Sequence, residues 1–255
     1  MTILILGGTA EARQLAQALI GAGYDVLTSL AGRVSAPALP VGRVRIGGFG
    51  GVTGLADFLQ HHQIDAIIDA THPFAAQISA NAEQAVALTG RPLLRLQRPG
   101  WIEHPRAESW TWVPDTPAAR EAADSAARPF LTIGRQSLEH FLPWAKRSVV
   151  ARVVDPPSFI PPPAWTVIQS RGPYEYAAER QLMIDFAVDA LLTKDSGGDH
   201  TAAKLHAAAD LGIPVVIIAR PPAGSATPVA TVAAVLPWLA SVESRGHSLG
   251  TRLDT

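Results

Sequence analysis

The chain opens Met1-Thr2-Ile3-Leu4-Ile5-Leu6-Gly7-Gly8-Thr9-Ala10-Glu11, and the reading of this stretch decides the fold. Ile3 to Leu6 is an unbroken apolar run, the pattern of a strand covered on both faces of a parallel sheet. Gly7 and Gly8 follow directly, and from Ala10 the apolar positions recur at helical spacing through Ala12, Leu15, Ala16 and Leu19. Strand, glycine turn and helix start together form an anion cradle. Glycine lets the backbone approach a phosphate, and the N–H groups and dipole of the helix start favour negative charge. The spacing departs from the dinucleotide fingerprint G-x-G-x-x-G, because no third glycine follows Thr9. A βα turn that needs glycine only for its backbone angles fits the same residues.

The next segments bear on which nucleotide would fit. After the helix stop at Gly21-Ala22-Gly23, Tyr24 to Leu30 reads as the second strand. An acidic residue near this strand end would hold the ribose hydroxyls of NAD. Here the chain reads Thr28-Ser29-Leu30-Ala31-Gly32-Arg33, with no carboxylate. A hydroxyl and a guanidinium suit a 2′-phosphate, so NADPH is the expected cofactor, with Ser29 and Arg33 as its 2′-phosphate ligands. Val41 to Ile46 reads as a short third strand running into Gly47-Gly48-Phe49-Gly50-Gly51, a loop expected to pass over the cofactor. Ala66 to Ala70 is another buried strand, followed by Thr71-His72-Pro73-Phe74 and a helix to about Leu88. His72 stands where open parallel sheets collect catalytic groups, as a proton donor, a positioning group or a plain loop residue. Asp69, inside an apolar strand, is expected to bind local N–H groups.

Composition narrows the classes. With 47% hydrophobic and 17% charged residues in 255, the chain is globular and long enough for two cores. A net charge of −1 gives no long-range field for nucleic acid or an anionic membrane, and neither is expected as a partner. The absence of cysteine excludes disulfides, thiolate metal sites and a cysteine nucleophile. No histidine and carboxylate set has metal spacing; His200 and His206 are not at i, i+4. Met1 runs straight into the first strand, and apolar runs are too short for a membrane helix, so the cytoplasm is the expected compartment.

Strand and helix patterns alternate to the end, which predicts an α/β fold with parallel sheets flanked by helices. Gln97 to Asp115, with three tryptophans and three prolines, reads as a domain crossover or the rim of a large pocket. A boundary near residue 115 predicts domains over 1–115 and 116–243, with 244–255 as a loose tail. In the second half, strands are expected at Phe130–Ile133, Val149–Val153, Trp165–Gln169, Ala190–Thr193 and Val215–Ile218. Their ends carry Gly134-Arg135-Gln136, Ser170-Arg171-Gly172, Thr193-Lys194-Asp195-Ser196-Gly197-Gly198 and Arg220. Cations and hydroxyls on one sheet edge predict a site for an anionic small molecule.

Several strings, in order from residue 3 to about 222, resemble the precorrin-6A reductases of cobalamin biosynthesis. They are Gly7 to Glu11, Leu30 to Arg33, Gly47 to Gly50, Asp69 to Ala75, Arg98-Pro99-Gly100-Trp101, Gly134 to Gln136, Arg171 to Pro173 and Thr193 to Gly198. The resemblance implies two Rossmann-like domains with the site in the cleft between them, and NADPH-dependent reduction of one carbon–carbon double bond of precorrin-6A to precorrin-6B. The cofactor residues expected are Gly7, Gly8, Thr9, Ala10 and Glu11; Ser29, Ala31, Gly32 and Arg33; Gly47, Gly48, Phe49 and Gly50; and Thr71 and His72. The ring's acetate and propionate fringe calls for cations and donors, and its face for flat apolar walls. Trp101, Arg135, Gln136, Ser170, Arg171, Lys194, Asp195, Ser196 and Gly197 are the substrate residues expected. The residues also fit another NADPH-dependent oxidoreductase of a small anionic substrate, or a nucleotide-sensing module without turnover.

Overall fold

The structure is a computed structural model that describes residues 1–32, 38–198 and 201–250. The chain forms two compact units, Met1–Arg98 with the segment from Pro222 onward, and Pro99–Pro221. Each is built on its own six-stranded, all-parallel sheet.

In the first unit, β1 (Thr2–Leu6), β2 (Asp25–Leu30), β3 (Arg43–Ile46), β4 (Ala66–Asp69) and β5 (Leu93–Leu96) are joined by α1 (Ala10–Gly21), α2 (Gly51–His61) and α3 (Ala76–Thr89). Alternate residues of β1 serve opposite faces. Ile3 and Ile5 pack with Leu15 and Leu19 of α1, and with Val235 and Leu239 of the C-terminal helix. Leu4 and Leu6 pack with Leu55 and Leu59 of α2 and Ala82 of α3. All four β1 side chains are 0–1% exposed, and each such burial contributes roughly 1.5–3 kcal/mol. This is why the strand reads as continuously apolar.

The second unit carries β6 (Thr111–Val113), α4 (Thr116–Ala122), β7 (Pro129–Thr132), β8 (Val150–Val153), β9 (Thr166–Gln169), α5 (Tyr176–Asp185), β10 (Ala190–Lys194), α6 (Ala203–Asp210) and β11 (Val215–Ile218). Phe130, Leu191 and Ile217 pack against Met183 of α5, Leu205 of α6, and Trp101 and Trp110. After β7 the chain runs through a 3-10 segment, Arg135–Trp144, which contains Pro143. Its Leu138 and Phe141 are fully buried.

The remaining elements are β12 (Thr227–Val229) and α7 (Val235–Gly250). The sheet orders are β12-β5-β4-β1-β2-β3 and β6-β11-β10-β7-β8-β9. In each, the chain winds outward in one direction from a central strand, then resumes on that strand's other side. Each sheet has a switch point at its carboxyl edge, between β1 and β4 and between β7 and β10.

The division of the chain differs from the sequence expectation at both edges. The chain leaves the first unit at Arg98, not near residue 115, and returns at Pro222. β6 pairs with β11, and β12 pairs with β5. These strands have three residues each, too few to show a period, so they leave no trace in the hydrophobic pattern. Of the expected tail, residues 251–255 lie outside the described residues, and 244–250 continue α7. Burial of Val235 and Leu239 anchors its first turns, and adding residues to a formed helix is easy.

Candidate functional site: two sheet edges

At the first switch point the glycine turn is tightly determined. The Gly7 N–H donates to the Ser29 carbonyl at 2.9 Å, continuing the β1–β2 ladder. A Cβ on Gly7 would stand 2.8 Å from Cγ2 of Thr28, so packing alone demands glycine there. Gly8 differs: its φ is +122°, and a Cβ there would meet nothing within 4 Å. It is a backbone conformation that favours glycine, and it faces open space. Thr9 caps α1, its Oγ1 accepting from the Ala12 N–H at 3.1 Å and donating to the Ala70 carbonyl at 2.8 Å. One hydroxyl thus ties the start of α1 to the end of β4.

Glu11, in the first turn of α1, accepts two hydrogen bonds from Arg98 at 2.9 and 2.8 Å. Burial would raise its carboxyl pKa, but its own backbone N–H and the Arg98 charge outweigh that and hold it below the ordinary glutamate value.

Beside this turn, Thr28 is 1% exposed, and its Oγ1 has no hydrogen-bond partner among the described residues. Its neighbour Ser29 accepts a hydrogen bond from Arg45 at 2.9 Å. Arg45 also donates to the carbonyls of Gly47 and Gly48 at 3.0 and 3.1 Å. Its guanidinium lies 4.0 Å from the ring centre of Phe49. Gly47 and Gly50 both take positive φ, 126° and 81°, and α2 begins at Gly51 without a side-chain cap. Ser29 and the Gly47–Gly50 loop therefore meet through an arginine. Of the other residues expected here, Ala31 and Gly32 follow β2, while Arg33 lies outside the described residues.

After β4, Asp69 is 2% exposed and accepts from the Thr71 N–H at 3.0 Å and the Thr71 hydroxyl at 2.6 Å. Its other oxygen meets Arg95 at 2.5 Å. His72 is half-buried, and its Nδ1 accepts from the Phe74 N–H at 3.3 Å, so a neutral ring carries its proton on Nε2.

A dinucleotide fits this edge on three observations: open space before Gly8, uncapped backbone at α2, and an orphaned buried hydroxyl on Thr28. Gly7 to Thr9 would face the pyrophosphate, and the end of β2 the adenosine ribose.

The second sheet's edge is built from side chains. Lys194, ending β10, donates to the buried Ser137 hydroxyl at 2.9 Å. Burial pushes its pKa below the ordinary lysine value. Arg135 and Gln136 follow β7, with Gly134 at φ +83°. Arg171, after β9, is exposed. Ser170 caps no helix; its carbonyl accepts from the Tyr174 hydroxyl at 2.9 Å.

Other expected substrate residues make structural contacts. Asp195, 4% exposed, accepts from the Trp101 N–H at 2.8 Å and pairs with Arg220 at 3.3 Å. A Cβ on Gly197 would stand 2.1 Å from the Pro99 carbonyl oxygen. Trp101 is 4% exposed within the second core, so it is not an open wall for a ring. Among the described residues, sequence reasoning also passed over Arg45, Arg95 and the buried Arg152–Glu179 pair. Arg95 and Arg152 each interrupt an apolar strand, Arg45 lies in the alternating Arg43-Val44-Arg45-Ile46, and Arg95 pairs in register with Asp69. A charge in such a strand needs a partner, and that was the available signal.

Two doubly wound parallel sheets, each with a polar switch point, define a protein of the Rossmann-like α/β class. A family model described as precorrin-6x reductase CbiJ/CobK matches residues 2–240. A precorrin-6A reductase of Rhodococcus erythropolis is 49% identical over 246 residues, covering 95% of this chain and 99% of that protein. That of Rhodobacter capsulatus is 42% identical, covering 93% and 95%. A solved structure titled CobK precorrin-6A reductase superposes with a TM-score of 0.88 at 40% identity, covering 95% of this chain and 97% of its own. The chain belongs to the precorrin-6x reductase family, oxidoreductases of cobalamin biosynthesis.

Proposed function

We propose that the protein reduces one carbon–carbon double bond of precorrin-6A with NADPH, giving precorrin-6B, and that it works in the cytoplasm. Family membership supports the reductase reading. The observation that carries the cofactor is the turn at the first switch point. There Gly8 opens at φ +122° before α1, whose start Thr9 caps. Bound there, the nicotinamide supplies a hydride. The chain's own part is to hold and orient: backbone N–H groups of Gly8 to Ala10 for phosphate, and the β2–β3 end for the ribose. Lys194, Arg135 and Arg171 offer cations to the substrate's carboxylates. His72 positions a reactant through Nε2, while the proton that completes the reduction comes from water.

The test is anaerobic turnover of precorrin-6A with NADPH and, separately, NADH. Oxidation of NADPH with a product heavier by two hydrogens is expected, together with a much slower NADH reaction. Equal rates with both cofactors would refute the NADPH assignment, and no turnover of precorrin-6A would refute the substrate. For His72→Ala, a fall of about tenfold with an unchanged pH profile is expected. A loss nearer a thousandfold that removes one limb of the profile would make His72 a general acid.

A further inference from the structure

We propose that Arg45 is the residue that selects a 2′-phosphorylated adenosine at the first sheet's edge, with Phe49 beneath it and Ser29 beside it. The inference rests on the NADPH reading and names the side chain that would enforce it.

Arg45 belongs to β3, where it stands directly across from Ser29 in the parallel β2–β3 register. The end of β2 is where a doubly wound sheet receives the adenosine ribose. Two Nη1 hydrogens go to Ser29 Oγ and the Gly47 carbonyl, and one Nη2 hydrogen goes to the Gly48 carbonyl. Five N–H donors are available on a guanidinium. Among the described residues, Nε and one Nη2 hydrogen take no acceptor, so the guanidinium keeps donors for an anion.

The guanidinium is packed against two aromatic rings. Its carbon lies 4.0 Å from the Phe49 ring centre and 5.0 Å from that of Phe58, and the two rings meet edge to face. A guanidinium stacked on an aromatic ring loses little further freedom when it binds. Partial burial also pushes the Arg45 pKa down, so an anionic partner would relieve the desolvated charge.

The arrangement explains Phe49, an aromatic residue in a loop of four glycines. Arg45 is bonded to the Ser29 hydroxyl, while Arg33 lies outside the described residues, so the experiment compares the two.

The experiment is calorimetric titration with adenosine 2′,5′-bisphosphate and with 5′-AMP, which differ only in the 2′-phosphate. The wild type, Arg45→Ala and Arg33→Ala are compared. The wild type should prefer the bisphosphate, and Arg45→Ala should lose about ten- to a hundredfold of that preference while binding 5′-AMP unchanged. Arg45→Gln, which keeps a stem over Phe49, should lose it likewise and serves if the alanine variant does not fold. A preference that survives in the Arg45 variants overturns the proposal, most clearly if Arg33→Ala abolishes it. Loss of 5′-AMP affinity in step with the bisphosphate also overturns it, since Arg45 would then only shape the loop. A wild type that binds both probes equally would instead sink the NADPH reading beneath it.

Discussion

The turns after β1 and β7 occupy equivalent places in two sheets of the same winding, yet they are built by opposite means. After β1 the chain turns through Gly7 and Gly8 into a capped, 12-residue α-helix. Backbone N–H groups and a helix dipole point at the switch point. After β7 it enters a 3-10 run with no side-chain cap, and the polar groups there are Lys194, Ser137 and Arg135. Backbone donors form a compact cradle, and side-chain cations reach further. On the proposed reading, the first edge would take a phosphate and the second the carboxylates of a large ring.

Ion pairs in the two units also differ in burial when Arg152–Glu179 is set against Arg98–Glu11, and there the largest effect is expected. In the second unit Arg152 and Glu179 pair with side chains 5% and 3% exposed, and Arg152 lies 3.7 Å from the Tyr174 ring centre. Arg152→Ala leaves Glu179 buried without its cation and should cost about 3–5 kcal/mol of stability. In the first unit, the Arg98–Glu11 pair is 17% and 22% exposed. Arg98→Ala should cost less than about 1 kcal/mol. Urea unfolding followed by tryptophan fluorescence and circular dichroism measures both. Equal losses would erase the distinction.

The second expectation concerns ligands. Lys194→Met should weaken binding of the carboxylate-fringed substrate by about 1.5–3 kcal/mol and leave NADPH affinity unchanged. Titrating each ligand separately checks this, and a fall in cofactor affinity would mean that the two edges do not divide the work. The same variant has a pH signature. The folded lysine gives up its proton at lower pH than the unfolded one. Wild-type stability should therefore rise as pH climbs from the folded value toward the unfolded 10.5, and the Met variant should lack that rise.

Removing the cap is the third case. Thr9→Ala should destabilise α1 by about 1 kcal/mol and weaken NADPH binding, whereas Thr9→Ser should restore both. An alanine variant with intact cofactor affinity would show that the cradle does not depend on the helix start.

The smallest effect belongs to Glu11. Its folded pKa lies below the unfolded value of 4.5, so its contribution is complete above that value and fades as pH falls through the folded one. Glu11→Gln should narrow the stability difference between pH 6 and pH 3 by less than about 1 kcal/mol. Thermal melts across that range read it, and an unchanged difference would show that Arg98 adds nothing to α1.

Much of this molecule is determined locally. Ile3 to Leu6 reads as a strand buried on both faces, and Gly7 to Thr9 as a turn into a helix, because period and turn chemistry act within a few residues. The parallel sheets, the first glycine turn and the cations at strand ends follow from such short-range rules. Tertiary structure decided where β6 and β12 pair, because three residues carry no period and only a sheet edge gives them a place. It also decided how Trp101, Asp195 and Gly197 pack, since burial depends on what the rest of the chain brings against them. Arg45 shows the same limit. Its partners Ser29 and Phe58 lie 16 and 13 residues away, and only the register of β3 against β2 and the return of α2 bring them to one guanidinium.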